Sequence, residues 1–145
     1  MTQDRTYFTA IFEIIKMGHA LTDGVNSELK AYGITEPQFN VLRILRGRKG
    51  EPATVQSVQE DMVQKSSNVT RIIDKLIDKG YVHREQCPTN RRRVDLTITD
   101  EGLEALKTFD GVVDSFHQPM KDALTIDESV QLTNLIYKLK AASNG

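Results

Sequence analysis

Short hydrogen-bonding side chains crowd one end of the run SSNVTRIIDKLIDKGYV, Ser66 to Val82, and the triplet Arg91, Arg92, Arg93 follows it. Ser66, Ser67, Asn68, Thr70 and Arg71 are short or forked, with few bulky groups among them. Asn pairs well with adenine, Arg with guanine, and Ser or Thr with either, so these residue types suit a surface that reads base edges. The plainer reading is that Ser66 or Ser67 caps a helix and the remainder is a solvated face. The arginines add a second chemistry: guanidinium groups packed together repel one another unless something anionic lies near.

An element must hold these groups. Val69, Ile72, Ile73, Leu76 and Ile77 recur at helical steps, the apolar stripe of an amphipathic helix with one buried face. Gly80 ends it, with Lys79 in the last turn matching the negative end of the helix dipole. Asn68, Arg71 and Lys75 then share one face at steps of three and four, flanked by Ser67 and Thr70. Beyond Gly80 the period becomes alternating, in Val82 and then Val94, Leu96 and Ile98, so two antiparallel strands are expected. Between them CPTNRRR places the arginines at or near the hairpin tip, where a hairpin this small cannot bury them.

Charge distribution supports an anionic partner although its total does not. The 145 residues carry 19 Lys plus Arg and 20 Asp plus Glu, close to neutral. From Lys65 to Arg93, however, eight basic side chains stand against three acidic ones, and from Asp100 onward eight acids stand against four lysines. One region faces an anion and the other stays off it.

The remaining chain reads as helices around this segment. From Thr6 to about Tyr32 the apolar spacing predicts one long helix, weakened at Gly18 and Gly24 and stopped by Gly33. Thr35 with Gln38 forms a capping box, with Pro37 in the first turn, for a second helix ending near Arg46. RGRKGEPA is expected to be an exposed loop. Thr54 opens a short helix with a narrow stripe of Val55, Val58 and Met62, so two short helices joined by a tight turn form a helix-turn-helix. Thr54 and Gln56, at the start of the first of them, are candidates for donating to phosphate.

Thr99 caps the next helix, on which Leu106, Phe109, Val113, Phe116 and Met120 make a heptad seam and Pro119 is expected to bend or interrupt the end. Thr125 with Glu128 opens the last helix, nearly surrounded by Val130, Leu132, Leu135, Ile136 and Leu139. The fold class is therefore mainly α with a small β-hairpin wing: a winged helix-turn-helix with N- and C-terminal helices forming a dimerisation domain. Its divisions are residues 1–33 for the N-terminal dimerisation helix, 34–99 for the winged module and 100–145 for the C-terminal dimerisation helices. The terminal helices carry more apolar surface than a compact winged domain can cover, which predicts a symmetric homodimer, with a monomeric helical bundle as the alternative.

In order and detail the chain resembles the MarR family of bacterial winged-helix transcription regulators, over essentially its whole length. ITEPQFNVLRIL is similar to that family's second helix, SSNVTRIIDKLIDKGYV to its recognition helix, and NRRRVDLTITDEG to its wing with the threonine and glycine that follow. Two positions depart: Cys87 and Asn90 stand where the family's wing usually has an acidic residue before the proline and an aspartate before the paired arginines. The resemblance implies a sequence-specific DNA-binding regulator, a ligand-responsive repressor on a palindromic operator, with recognition helices in major grooves about 34 Å apart. Ser67, Asn68 and Arg71 are then expected at base edges, Ser66 beside them, Thr70 and Lys75 at phosphates, and Arg91, Arg92 and Arg93 at the adjacent minor groove. It also implies a small-molecule effector, often phenolic or otherwise anionic, near the junction of the two parts. His19, Phe39 and Phe116 are candidates for lining it, although a Phe at helical spacing is more often plain core, and they are not counted as site residues.

Other classes are less well served. No glycine-rich phosphate loop, GxSxG, HExxH or CxxC is present, so no enzyme is expected. His19, His83 and His117 have no metal-like spacing, and neither metal nor cofactor is expected. Cys87, the single cysteine, lies among arginines that can lower its pKa, yet it is also read simply as a small residue at a strand end. Without a membrane-length apolar run or a secretory signal, the chain is expected in the cytoplasm. A winged-helix dimer serving only as a protein adaptor is the alternative function.

Overall fold

The computed structural model describes residues 4–63 and 68–144. Its elements run α1 Thr6–Lys30, α2 Glu36–Gly47, α3 Val55–Asp61, α4 Val69–Asp78, β1 Val82–Gln86, β2 Val94–Ile98, α5 Asp100–Ala123 and α6 Ile126–Ser143. This is the mainly helical architecture with one antiparallel hairpin that the spacing predicts. The chain forms two compact units, Met1–Val113 and Asp114–Gly145, so α5 begins in the first and ends in the second.

Every element of the first unit contributes to its core, β1 through Val82. Leu29, Val41, Leu42, Val58, Ile73, Leu76, Leu96 and Leu106 are all but inaccessible to solvent. Local chemistry sets the helix starts. Thr35 and Gln38 close the expected box on α2, with the Thr35 hydroxyl accepting from the Gln38 amide at 3.2 Å and the Gln38 side chain accepting from the Thr35 amide at 3.0 Å. α3 has the same device, because Ser57 returns the bond that the Thr54 hydroxyl receives. Gly33 and Gly80 end α1 and α4 at φ of 73° and 81°, a region that a side chain disfavours.

A single threonine joins the end of α4, the hairpin and α5. Its amide donates to the Tyr81 carbonyl at 3.0 Å, and its hydroxyl donates to the Gly80 carbonyl at 2.6 Å. The same Thr99 oxygen accepts from the Gly102 amide at 2.9 Å, capping α5 as its position predicts. Arg46 adds a second tie within this unit, forking its guanidinium onto the carboxylate of Asp110 and so linking α2 to α5.

Three expectations need correction. RGRKGEPA is not wholly an exposed loop: Ala53 is buried and exchanges both backbone hydrogen bonds with Leu96, at 3.0 and 2.8 Å, lending the hairpin a third, one-residue edge. One paired residue has no period, so alternation cannot reveal it. Val94 does not share the burial of Val82 and Leu96. It pairs with Gln86 at the far end of the ladder, beside the turn, and is exposed. Pro119 does not interrupt α5, which continues to Ala123.

Much apolar surface remains uncovered. Along α1, Tyr7, Phe8, Ile11, Phe12, Ile14, Ile15 and Met17 are 41–60% exposed. In the second unit, Thr125 and Glu128 cap α6 as expected, and Ile126, Val130, Leu132, Leu135, Tyr137 and Leu139 are exposed. No helix among the described residues is long and apolar enough to cross a membrane.

Candidate nucleic-acid interface

The burial of α4 separates its two faces cleanly. Val69, Ile73 and Leu76 point into the core, while Asn68, Thr70, Arg71, Asp74 and Lys75 are exposed. The expected alignment at steps of three and four is realised, since Asn68, Arg71 and Lys75 line one side of a cleft of about 410 Å³. Its other side is the start of α2, with Thr35, Pro37 and Gln38, together with Asn26 of α1. Asn26 also accepts the Glu36 amide at 3.0 Å, fixing the α1–α2 corner against which the cleft forms. Burial raises the carboxyl pKa of Glu36 above its ordinary value. Ser66 and Ser67, the other residues expected here, lie outside the described residues.

The hairpin supplies the second group. A cleft of about 450 Å³ is lined by Thr54, Val55 and Gln56 at the start of α3 and by Asn90, Arg92, Arg93 and Val94 of the wing. Residues that are 34 or more positions apart in sequence are thus brought together, joining the phosphate candidates Thr54 and Gln56 to the wing arginines. Thr70 and Arg91 are exposed and line neither cleft.

The basic side chains are not equivalent, a distinction the sequence pattern missed. Arg93 donates through Nε to the Asp95 carboxylate at 2.7 Å, and that bond raises its pKa above the ordinary guanidinium value. Arg84 of β1 reaches Asp74 of α4 at 3.3 Å. The wing arginines are therefore not all free of a counter-charge. Among the described residues, Arg71, Lys75, Arg91 and Arg92 make no ion pair. Alternation along a strand could have signalled the first pair, because Arg93 and Asp95 are two residues apart and share a face. Nothing local signals the second, whose partners are ten residues apart on different elements.

Asn90 acts on the backbone of the turn. Its side-chain oxygen accepts from the Arg92 amide at 3.0 Å, and its carbonyl accepts from the Arg93 amide at 3.1 Å. The Gln86 side chain donates to the Arg91 carbonyl at 2.7 Å from the facing strand. These three bonds stiffen the tip while leaving the Arg91 and Arg92 side chains exposed, so an asparagine here presents the arginines through the main chain. At the base of the same turn the Cys87 thiol lies 3.4 Å from the Thr89 hydroxyl, and hydrogen bonding from the Thr89 side chain, then its backbone, lowers the thiol pKa. No cluster of three or more His, Cys, Asp or Glu suited to a metal occurs among the described residues.

The chain resembles proteins of known class. The sequence model described as the MarR family matches residues 34–94. An uncharacterised HTH-type transcriptional regulator of Bacillus subtilis, YkoM, is 38% identical over 77 residues, 53% of this chain and 49% of that protein. The transcriptional repressor MprA of Escherichia coli is 28% identical over 123 residues, 85% of this chain and 70% of that one. This chain thus spans about half the length of YkoM and more of MprA. A mutant of Escherichia coli MarR solved in complex with operator DNA superimposes with a TM-score of 0.76 at 25% identity, covering 95% of this chain and 99% of that one.

Proposed function

We propose that the chain is a MarR-family protein and a sequence-specific DNA-binding transcriptional regulator, a ligand-responsive repressor that acts as a homodimer on a palindromic operator. The observation that carries this reading is the pair of outward cationic elements on one compact unit: Arg71 and Lys75 on α4, and Arg91 and Arg92 at the hairpin tip, none with a counter-ion among the described residues. Four such charges left unpaired by the fold favour a polyanion.

Roles within the surface follow from side-chain type and position. Asn68 and Arg71 read base edges, with Ser66 and Ser67 beside them, and Thr70 and Lys75 bind phosphate. Arg91 and Arg92 enter the minor groove, while Arg93, held by Asp95, contacts backbone. Thr54 and Gln56 share the wing cleft and bind the same stretch of backbone. The winged module is residues 34–99, and residues 1–33 and 100–145 supply the dimer contacts through the exposed apolar side chains of α1 and α6. A phenolic or other anionic effector that favours one spacing of the two recognition helices releases the operator. The protein acts in the cytoplasm and catalyses no reaction.

Binding to an operator selected from a random DNA pool, titrated by fluorescence anisotropy at several salt concentrations, tests this. Arg92→Ala is expected to weaken binding to operator and random DNA alike and to flatten the slope of log affinity against log salt by about one unit. Unselective loss with an unchanged slope would mean that Arg92 meets no phosphate. Retention of the wild type on heparin, with elution by salt, supports DNA binding; no retention favours the adaptor reading. For the dimer, sedimentation should give about twice the 16.4 kDa chain mass, and the unfolding temperature should rise with protein concentration. A single-chain mass independent of concentration would remove that part of the proposal.

A further inference from the structure

Among the described residues two polar side chains are buried, Gln38 and Asn40. Gln38 is accounted for by its capping box. Asn40 is not part of any cap: it sits one turn into α2, between the core residues Phe39 and Val41, where an apolar side chain would bury as well without a hydrogen-bonding requirement. Its side-chain oxygen accepts from the Val63 amide at 2.8 Å.

Val63 is where the chain leaves α3. Met62, the C-terminal cap, has turned to extended backbone at φ −67° and ψ 143°, so the Val63 amide has no continuing helix in which to pair. Asn68, at the start of α4, follows within five residues. The same α2 that holds Val63 through Asn40 also lines the cleft beside Asn68, Arg71 and Lys75 through Thr35, Pro37 and Gln38. Both ends of the connection between α3 and α4 are thus referred to one helix.

We infer that Asn40 is a positioning residue for DNA recognition: the hydrogen bond from the Val63 amide to its buried side chain fixes the exit of α3 and thereby the placement of the α4 face that reads DNA. The inference rests on the DNA-binding reading. The bond is part-buried, with its acceptor on the buried Asn40 and its donor on the exposed Val63, so breaking it leaves the Asn40 oxygen unsatisfied against the core.

Two variants separate this from a packing role. Asn40→Leu keeps the branched four-atom shape and removes the acceptor, and Asn40→Asp keeps an acceptor oxygen at the same reach. In Asn40→Leu, amide exchange at Val63 should accelerate about tenfold and the ratio of operator to random-DNA affinity should fall by about the same factor, while binding to random DNA holds. Asn40→Asp should restore both quantities to within about threefold of wild type. Should Leu not be accommodated, Asn40→Ala removes the acceptor in less space, with the same expectation. Unchanged Val63 exchange, or an operator preference that survives loss of the acceptor, overturns the proposal. A wild-type protein without operator preference overturns the DNA reading and this proposal with it, an outcome distinguishable because it precedes any substitution.

Discussion

Replacing Gly102 with alanine is expected to destabilise the protein by about 3 kcal/mol, the upper part of the range for overpacking a closed site. A methyl group there would stand 2.3 Å from the Tyr81 carbonyl oxygen and 2.8 Å from Ile98, distances that no rotation of its own can relieve. The Tyr81 oxygen cannot simply retreat, because it accepts the Thr99 amide, and Thr99 also holds Gly80 and caps α5. Relief would therefore shift the end of α4, the hairpin or α5. The apparent unfolding temperature should drop by roughly 10 °C, at about 2 to 4 °C per kcal/mol for a chain this long. Gly111→Ala provides the contrast: a methyl at Gly111 meets nothing within 4 Å, and in a helix interior alanine is favoured over glycine by about 1 kcal/mol. Equal melting of wild type and Gly102→Ala would show that α5 does not pack this closely on Tyr81.

Arg71→Ala is expected to lower operator affinity about 10- to 100-fold, the range for losing a forked contact with a base, and to relax sequence choice at that base pair. Arg71 is exposed on α4, without an ion pair among the described residues, and aligned with Asn68 and Lys75 along one cleft. Its free energy on DNA is therefore not offset by breaking a bond within the protein. Lysine should not rescue the loss, since an ammonium cannot form the planar fork. Arg84→Ala, by comparison, removes a side chain already paired with Asp74 in an exposed bridge, and the cost should stay within about 1 kcal/mol. If Arg71→Ala reduces affinity for operator and random DNA by the same factor, Arg71 is a phosphate contact and the assignment of base reading moves to its neighbours.

The different fates of the arginines explain how far sequence could go. In NRRRVDLTITDEG the triplet looks uniform, but Arg93 is paired with Asp95 while the Arg91 and Arg92 guanidiniums make no ion pair among the described residues. Asn90, whose effect on the turn could only be guessed from its type, turns out to hold the Arg92 and Arg93 amides and no guanidinium. The threonine and glycine after the wing read as a helix start, and they are one, but the donation from Thr99 to Gly80 spans 19 positions and has no local trace.

Sequence alone determined whatever depends on neighbours within a turn or two: the apolar stripe of α4, the capping boxes of α2 and α6, the hairpin, and the placement of polar and basic groups opposite the buried face. Such features arise from side-chain period and from backbone groups that near neighbours must satisfy. Tertiary structure alone decided which of the described cations are paired, that Ala53 joins the hairpin edge, that Thr54 and Gln56 share a cleft with Arg92, and that the Asn40 side chain holds Val63. Those outcomes depend on which groups meet across distant parts of the chain, and a hydrogen bond or ion pair is won by whichever partner the packed core brings within about 3 Å.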